Sequence, residues 1–217
     1  MPEIEDDIHP LDLLARREPM TGAGVSVVIV SREADHVAGN VGRGLARLIE
    51  DRGRAAEWRI ATLGVDFGSS LSEAIAEARH PLLIVTTARS PWSGAHLDPL
   101  LDSIDRHDHV VGVRQMSFVR RALRHVLETP LAILFACRLY DPHSPCRIHR
   151  REKLAEIVFQ SKGAFLDWEW VAKANHLVHL IQPVDLPFLE SEPMPPTSWI
   201  DFETVWRRPS FRPLKTT

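Results

Sequence analysis

Short runs of branched apolar residues alternate with amphipathic stretches along this chain, and this alternation limits its possible folds more than any other feature. The run V-S-V-V-I-V at 25–30 and the run L-L-I-V-T at 82–86 are nearly free of polar residues. Each predicts a strand that is buried on both faces, because a strand with one wet face would alternate. Between them, apolar residues recur at helical spacing and predict a one-sided helix: Val37, Val41, Leu45, Leu48 and Ile49.

The same alternation continues towards the C-terminus. Further strands are predicted at 58–63 and 110–113, and further helices at 71–79, 97–104 and 117–129. Gly53 is expected to end the first helix, and Ser69 or Ser70 is expected to cap the helix at 71–79. Strands that alternate with helices of roughly 10 residues favour βαβ units, so the fold class is predicted to be α/β with a mainly parallel sheet.

The length of 217 residues suits one domain with a sizeable core. Residues 1–23 are predicted to be a polar leader and 24–186 the folded domain. The tail at 187–217 holds six prolines and is expected to be irregular.

Charge and composition exclude several classes of partner. Lysines and arginines number 26 against 29 acidic residues, so no strong basic field exists to hold nucleic acid or an anionic membrane. The apolar run at 131–137 is far shorter than the roughly 20 residues that cross a bilayer. The acidic N-terminus does not fit a secretory signal, and Cys137 and Cys146 form no C-x-x-C motif. These features predict a cytoplasmic protein without nucleic-acid partners or a transmembrane segment.

Several segments of the chain follow the order of segments in one known enzyme family. V-S-V-V-I at 25–29, followed by Glu33, resembles the first strand of family-2 glycosyltransferases of the polyprenyl-phosphate sugar transferase type. Residues 73–85 are similar to its helix leading into the metal-site strand, and V-V-G-V-R at 110–114 is similar to its V-V-G-x-R.

The most specific segment is D-P-H-S-P-C-R-I-H-R-R-E at 141–152. It resembles the family's D-x-x-S-G-x-R-x-x-x-R-E stretch near the acceptor, with Pro145 in place of the glycine. Residues 165–169 and 183–184 are similar to the F-x-x-E helix and the closing strand of the family. The resemblance spans about 25–186 and implies a GT-A-like three-layer α/β/α domain. It also implies a transferase that moves a sugar from a nucleotide sugar to a lipid-phosphate or other acceptor with Mg²⁺ or Mn²⁺.

The chain departs from the family at the metal site. The D-x-D positions fall on Thr87, Ala88 and Arg89, so both carboxylates are missing. Either Arg89 takes the place of the metal and binds phosphate oxygens, or the site has decayed and Arg89 is a solvated surface residue. The nucleotide-contacting D-D-G-S-x-D motif also has no counterpart between 58 and 68. The metal ligands expected of the family are therefore absent, and donor binding is expected to be degenerate.

On the acceptor side, the resemblance implies that Asp141 is a catalytic or acceptor-orienting carboxylate. It places Ser144 among the substrate-binding residues and implies that Arg147, with Arg150 or Arg151, grips a phosphate. The alternative is that D-P-x-S forms an ordinary turn in which the aspartate caps its own loop.

Two more residues have a similar claim. The resemblance implies that Arg114 binds phosphate and that Glu169 contacts substrate, whereas each could instead be a solvated surface residue. The chain is thus predicted to be a glycosyltransferase-like protein that binds a nucleotide sugar and a phosphate-containing acceptor. The alternative is a non-catalytic sugar-binding, phosphate-binding or protein-interaction module on the same fold.

Histidines offer weaker candidates for a metal site. For the first group below the competing interpretation is a polar turn. For the second it is a surface position, because no carboxylate or cysteine completes a ligand set, and the third lacks a fourth ligand. The three groups are His107 with His109, His176 with His179, and His143 with Cys146 and His149.

Overall fold

The computed structural model describes residues 18–32, 36–62, 66–115, 126, 129–135, 141–163, 165–187 and 199–211. The strands are β1 (Val25–Ser31), β2 (Ala56–Thr62), β3 (Leu82–Thr87), β4 (His109–Arg114), β5 (Arg147–Arg150) and β6 (Ile181–Leu186). The helices with assigned bounds are α1 (His36–Glu50), α2 (Phe67–Glu77), α3 (Gly94–Ile104), α4 (Arg151–Ala155), α5 (Leu166–His176) and α6 (Trp199–Arg207).

All six strands belong to one sheet, in the order β2-β1-β3-β5-β4-β6. Every neighbouring pair is parallel except those of β5, which runs antiparallel to both β3 and β4. Ile148 of β5 lies opposite Ile84 on one side and Val110 on the other. The predicted mainly parallel α/β sheet is therefore confirmed.

The two faces of the sheet carry separate apolar clusters. On one face, Val27, Ile29 and Ile84 pack against the apolar stripes of α1 and α3. On the other face, Val28 and Val85 pack against residues of α2, α4 and α5. Because successive side chains of a strand point to opposite sides, these unbroken apolar strands can feed both clusters. The result is a three-layer α/β/α arrangement.

Of the two helix ends that were predicted from local signals, one is confirmed and one is wrong. Gly53 follows α1 with a φ of 71°, a left-handed conformation that suits glycine, which confirms the predicted stop. The predicted cap of the next helix is wrong, because α2 begins earlier and Asp66 caps it by accepting a 3.1 Å hydrogen bond from the amide of Ser69. Aspartate is as good a cap as serine, and its position one turn earlier admits Phe67 to the core.

The C-terminal region differs from the prediction in part. An irregular tail was expected after 186, yet α6 is a regular helix, and its Val205 packs with Phe165 and Trp168. Asp201 fixes α6 further by accepting a 3.1 Å hydrogen bond from the amide of Gly163. Most of the helix predicted at 117–129 lies outside the described residues. Among the residues that the structure describes, no helix has the length and apolarity needed to span a membrane.

Candidate functional site

The carboxyl ends of the parallel strands β1, β3 and β4 lie along one edge of the sheet, where open α/β sheets usually bind their ligands. Because β5 is antiparallel, it starts at this same edge, with Arg147 opposite Val85 and Val111. The segment 141–146 leads into β5. The edge is thus where most of the predicted acceptor-side residues meet.

Arg114 and Asp141 form an ion pair at this edge. The guanidinium donates from Nε to Oδ2 and from Nη2 to Oδ1, both at 2.8 Å, and the Arg114 amide donates to Oδ2 at 3.2 Å. The side chains are 11% and 1% exposed. Asp141 has a φ of 41°, a left-handed conformation that aspartate tolerates better than most residues. The pair therefore fixes both the carboxylate and the backbone at the start of the loop.

The loop after Asp141 forms a compact turn, as the alternative interpretation of D-P-x-S predicts. The Ser144 amide donates to the Asp141 carbonyl at 2.9 Å, and Ser144 Oγ accepts from the Cys146 amide at 3.2 Å. The Gly112 amide donates to the Cys146 carbonyl at 2.8 Å and joins the loop to β4. The Asp141 side chain, however, accepts its hydrogen bonds from Arg114.

A second charged cluster lies beside the first. Arg147 Nη1 donates to Asp167 Oδ1 at 2.7 Å, and His143 Nδ1 lies 2.9 Å from the other carboxylate oxygen. Burial by itself raises the pKa of Asp167, but the charge of Arg147 and the hydrogen bonds from His143 and Arg147 outweigh it and hold the pKa below its usual value of 3.8. Sequence reasoning missed Asp167. Its only local signal was an acidic residue in the first turn of α5.

A small cavity of about 20 Å³ lies beneath this cluster, between the sheet and α5. Its polar lining comes from Thr87, Arg147, His149, Asp167 and Trp170, and apolar residues of β1, β3 and α2 supply much of the rest. Arg147 Nε and Trp170 Nε1 are buried and have no hydrogen-bond partner within the described parts of the chain. Two N–H donors without a partner therefore belong to side chains that line the cavity.

The other predicted residues of the 141–169 region lie elsewhere. Arg150, at the opposite end of β5, donates to the carbonyls of Glu18 and Asp105 at 2.9 Å each. Arg151 Nη1 donates to the Ala78 carbonyl at 3.0 Å. Both side chains therefore tie chain segments together at the far edge of the sheet.

Glu169 is fully buried in α5. Its carboxylate accepts hydrogen bonds from the amides of Gln160 and Ser161, at 2.8 and 2.9 Å, and from Lys173 Nζ at 2.6 Å. Because burial of an unpaired charge is costly, Lys173 and the two amides account for its stability there. In this position Glu169 anchors the 160–161 loop.

The end of β3 holds the positions aligned with the family's metal ligands. Thr87 Oγ1 lies 2.7 Å from Ser90 Oγ, both buried, while Arg89 is exposed in the turn between them. Mg²⁺ and Mn²⁺ prefer carboxylate and other oxygen ligands, and a guanidinium repels them. No group of three histidine, cysteine or acidic residues within the described residues is arranged to hold a metal. The residues at the end of β3 do not fit a divalent cation.

Comparison with solved structures identifies the architecture. Glucosyl-3-phosphoglycerate synthase from Mycobacterium tuberculosis, in complex with Mn²⁺, UDP-glucose and phosphoglyceric acid, superposes with a TM-score of 0.56 at 15% identity, over 85% of this chain and 76% of that one. Mannosyl-3-phosphoglycerate synthase from Rubrobacter xylanophilus gives 0.53 at 12% identity, over 88% and 72%. Both are GT-A glycosyltransferases. This chain has a GT-A fold.

The GT-A architecture agrees with the fold that the sequence resemblance implies. The predicted fold is therefore confirmed. At identities this low, the likeness establishes the fold and does not by itself establish an activity. No protein-family model matches the chain, and no curated protein matches it.

Proposed function

We propose that this chain is a glycosyltransferase-like protein that binds a nucleotide sugar and a phosphate-bearing acceptor and whose donor and metal binding is reduced. The observation that carries the proposal is the loop at 141–147, held by two buried ion pairs at the ligand-binding edge of a GT-A sheet. Buried ion pairs are weak sources of stability compared with apolar packing, so their presence here supports a role in holding charged groups for a ligand.

On the acceptor side, Asp141 would orient the acceptor, and Arg114 and Arg147 would bind its phosphate. Both arginines lie at this edge of the sheet, and a guanidinium binds phosphate oxygens through paired N–H donors. The related enzyme from M. tuberculosis binds phosphoglyceric acid and glycerol 3-phosphate, which supports a phosphorylated acceptor. Ser144 would contribute by fixing the turn rather than by touching the acceptor, because it is fully buried.

On the donor side, Arg89 would carry the positive charge that a metal supplies in the family. It is exposed at the carboxyl end of β3, and a guanidinium can bind two phosphate oxygens at once. One monovalent cation stabilises a departing diphosphate less than a divalent metal does, so slow transfer is expected.

A non-catalytic sugar-binding or phosphate-binding protein is the second candidate. The observation that favours it is the end of β3 itself, where Thr87, Ala88 and Arg89 supply no carboxylate. Such a protein would keep the charged loop as a phosphate pocket without the chemistry of transfer.

Calorimetric titration with UDP, GDP and their glucose and mannose esters, with and without Mn²⁺, tests the donor proposal. We expect one nucleotide to bind without metal and Arg89→Ala to weaken that binding roughly tenfold or more, the size of one lost charged hydrogen bond. Arg47→Ala is the matched control, because Arg47 is an exposed arginine in the last turn of α1 and not at the carboxyl end of β3.

Transfer from the nucleotide sugar that binds would then be measured with 3-phosphoglycerate and with a polyprenyl phosphate as acceptors. Product with either acceptor identifies an enzyme and its acceptor class. Binding of a nucleotide sugar without any product favours the non-catalytic candidate. Absence of binding by every nucleotide at millimolar concentration would refute both the donor proposal and the assignment of Arg89.

A further inference from the structure

Three buried histidines and one glutamate form a continuous chain of contacts between the surface and the interior. His179 Nε2 lies 2.8 Å from Glu156 Oε2, His109 Nε2 lies 3.0 Å from His179 Nδ1, and His149 Nδ1 lies 2.9 Å from His109 Nδ1. The three rings are at most 8% exposed, whereas the side chain of Glu156 is 40% exposed. This row of contacts therefore has a solvent-exposed end at Glu156 and a buried end at His149.

The sheet itself sets this alignment. His109 of β4 and His149 of β5 are direct partners in the antiparallel register, and the His109 position is also paired with Ile181 of β6, two residues after His179. The indole of Trp170 packs edge-on against both inner rings, with centroids 5.5 and 5.1 Å away. The rings are thus held in place by pairing and packing rather than by a flexible loop.

Glu156, at the exposed end of this row of contacts, determines the direction of the hydrogen bonds along it. Burial raises the pKa of Glu156, but hydrogen bonds from Lys153 and His179 outweigh it and leave the pKa below its usual value, so the carboxylate is ionised and only accepts. Burial lowers the pKa of His179 and, more strongly, that of His149, so both rings are neutral at pH 7.

A neutral imidazole has one donor and one acceptor nitrogen. His179 Nε2 donates to Glu156, so its Nδ1 accepts from His109 Nε2. The relay requires a neutral His109, whose Nδ1 then accepts from His149 Nδ1. This series of hydrogen bonds leaves an unshared electron pair on His149 Nε2, at the buried end.

The inner end reaches the cavity beneath the charged loop. His149 lines this cavity together with Arg147 and Trp170, whose Nε and Nε1 N–H groups have no partner within the described residues. A volume of about 20 Å³ is enough for one water-sized oxygen. An O–H group in this cavity that donates to His149 Nε2 would give this ring its second hydrogen bond.

We propose that Glu156, His179, His109 and His149 form a proton relay for this cavity, which binds the hydroxyl group of water or of a substrate alcohol. In one passage, the O–H bond breaks and its proton goes to His149 Nε2. His149 Nδ1–H passes to His109 Nδ1, His109 Nε2–H passes to His179 Nδ1, and His179 Nε2–H passes to Glu156. The net change is one neutral hydroxyl converted to an oxygen anion beside Arg147 and one carboxylate converted to the acid.

The surrounding charges differ between the two ends of the relay. Arg147 lies near His149 and opposes a positive charge there, while Asp108 favours and Lys153 opposes a positive charge on His179. Asp108 also accepts a 2.9 Å hydrogen bond from the amide of Leu180, which holds the turn that carries His179. A positive charge is therefore less favourable on His149 than on His179.

The relay does not depend on the proposed transfer activity, and nitrogen-15 NMR of the full-length labelled protein tests it directly. We expect protonated Nε2 on His109 and His179 and protonated Nδ1 on His149 at pH 7. In Glu156→Gln, whose amide can donate as well as accept, we expect these tautomers to mix and the exchange of the His149 Nδ1 proton with solvent to slow by roughly tenfold or more. Glu152→Gln is the matched control, an exposed glutamate of α4.

The source of the hydroxyl is tested in the same spectra. A shift of the His149 Nε2 resonance on addition of 3-phosphoglycerate identifies a substrate hydroxyl, and a resonance that stays constant identifies water. An imidazolium signature at His109, or unchanged tautomers and unchanged exchange in Glu156→Gln, would overturn the relay. Because none of these readouts measures sugar transfer, failure of the relay and failure of the proposed function remain distinguishable.

Discussion

Arg114 and Asp141, 27 residues apart in the chain, meet in a bidentate ion pair with two contacts of 2.8 Å. The arginine ends a central strand and the aspartate opens the loop that leads into its antiparallel neighbour. The pair therefore joins the two halves of the candidate site, and its loss is expected to affect the stability and the geometry of that edge together.

Asp141→Asn is expected to lower the free energy of unfolding by about 3–5 kcal/mol, because it breaks a largely buried ion pair with Arg114 by removing the charge of one partner. Asparagine tolerates the left-handed backbone at this position, so the change removes the charge without adding strain. Urea denaturation followed by circular dichroism gives the measurement. Asp98→Asn provides the control: its partner is Arg52, its side chain is 53% exposed, and its loss should cost about 1 kcal/mol or less. Equal losses in the two variants would contradict this account.

Arg147→Met is expected to raise the pKa of Asp167. Burial alone raises this pKa, and Arg147 supplies much of the opposing effect, so removing the guanidinium leaves the desolvated carboxyl with His143 only. In the wild type the folded pKa lies below that of the unfolded chain, so Asp167 contributes stability above about pH 3.9 that is lost as the pH falls through the folded value. Carbon-13 titration of the carboxyl measures both proteins. A pKa that stays below 3.8 in the variant would show that Arg147 is not the cause.

His149 should make the protein less stable in mild acid. Burial lowers the pKa of His149 well below 6.5, so the unfolded chain takes up a proton at this residue that the folded chain does not. The contribution of neutral His149 to the free energy of unfolding is fully present above pH 6.5. As the pH falls below 6.5, the free energy of unfolding should decrease by up to about 1.4 kcal/mol per pH unit, until the pKa of His149 in the folded protein is reached. Urea denaturation at pH 7.5, 6 and 5 checks the slope. His149→Gln should be less stable at every pH but should show a smaller slope, and an unchanged slope would assign the effect to other histidines.

Val205→Ala in α6 is expected to lower the free energy of unfolding by roughly 1–3 kcal/mol, the value of burying a valine side chain. Val205 is 3% exposed against Phe165 and Trp168, whereas Ile200 of the same helix is 73% exposed. Ile200→Ala should therefore change stability by about 0.5 kcal/mol or less. Similar small effects of both substitutions in chemical denaturation would mean that α6 does not stabilise the domain.

The sequence predicted the strands whose interiors are apolar on both faces, and it could not predict β5. The segment Arg147–Arg150 contains two arginines and a histidine, so nothing in its composition resembles a buried strand. These polar groups are stable there only because Asp167, His109 and backbone carbonyls from distant segments meet them. Such partners are set by the tertiary fold and leave no local pattern in the chain.

In the candidate site too, individual residues could be identified from the sequence, but their contacts could not. Asp141, Arg114 and Arg147 were identified from a resemblance, but their pairing with one another and with Asp167 depends on the sheet register. His179 was assigned to the surface because no ligand set completes it in sequence, yet it is buried between His109 and Glu156. A histidine three residues from another on a polar turn gives no sign of its depth.

The position of β5 between β3 and β4 also imposes an order on assembly during synthesis. β2 and β3 can pair as soon as they leave the ribosome, because their neighbour β1 is made before both. β4 has no such neighbour, since its partners β5 and β6 are both made later. A nascent chain that ends before Arg147 therefore exposes the free edges of β3 and β4, which are the kind of edge that pairs with other chains. Translation through this interval is the time at which the protein is most open to aggregation.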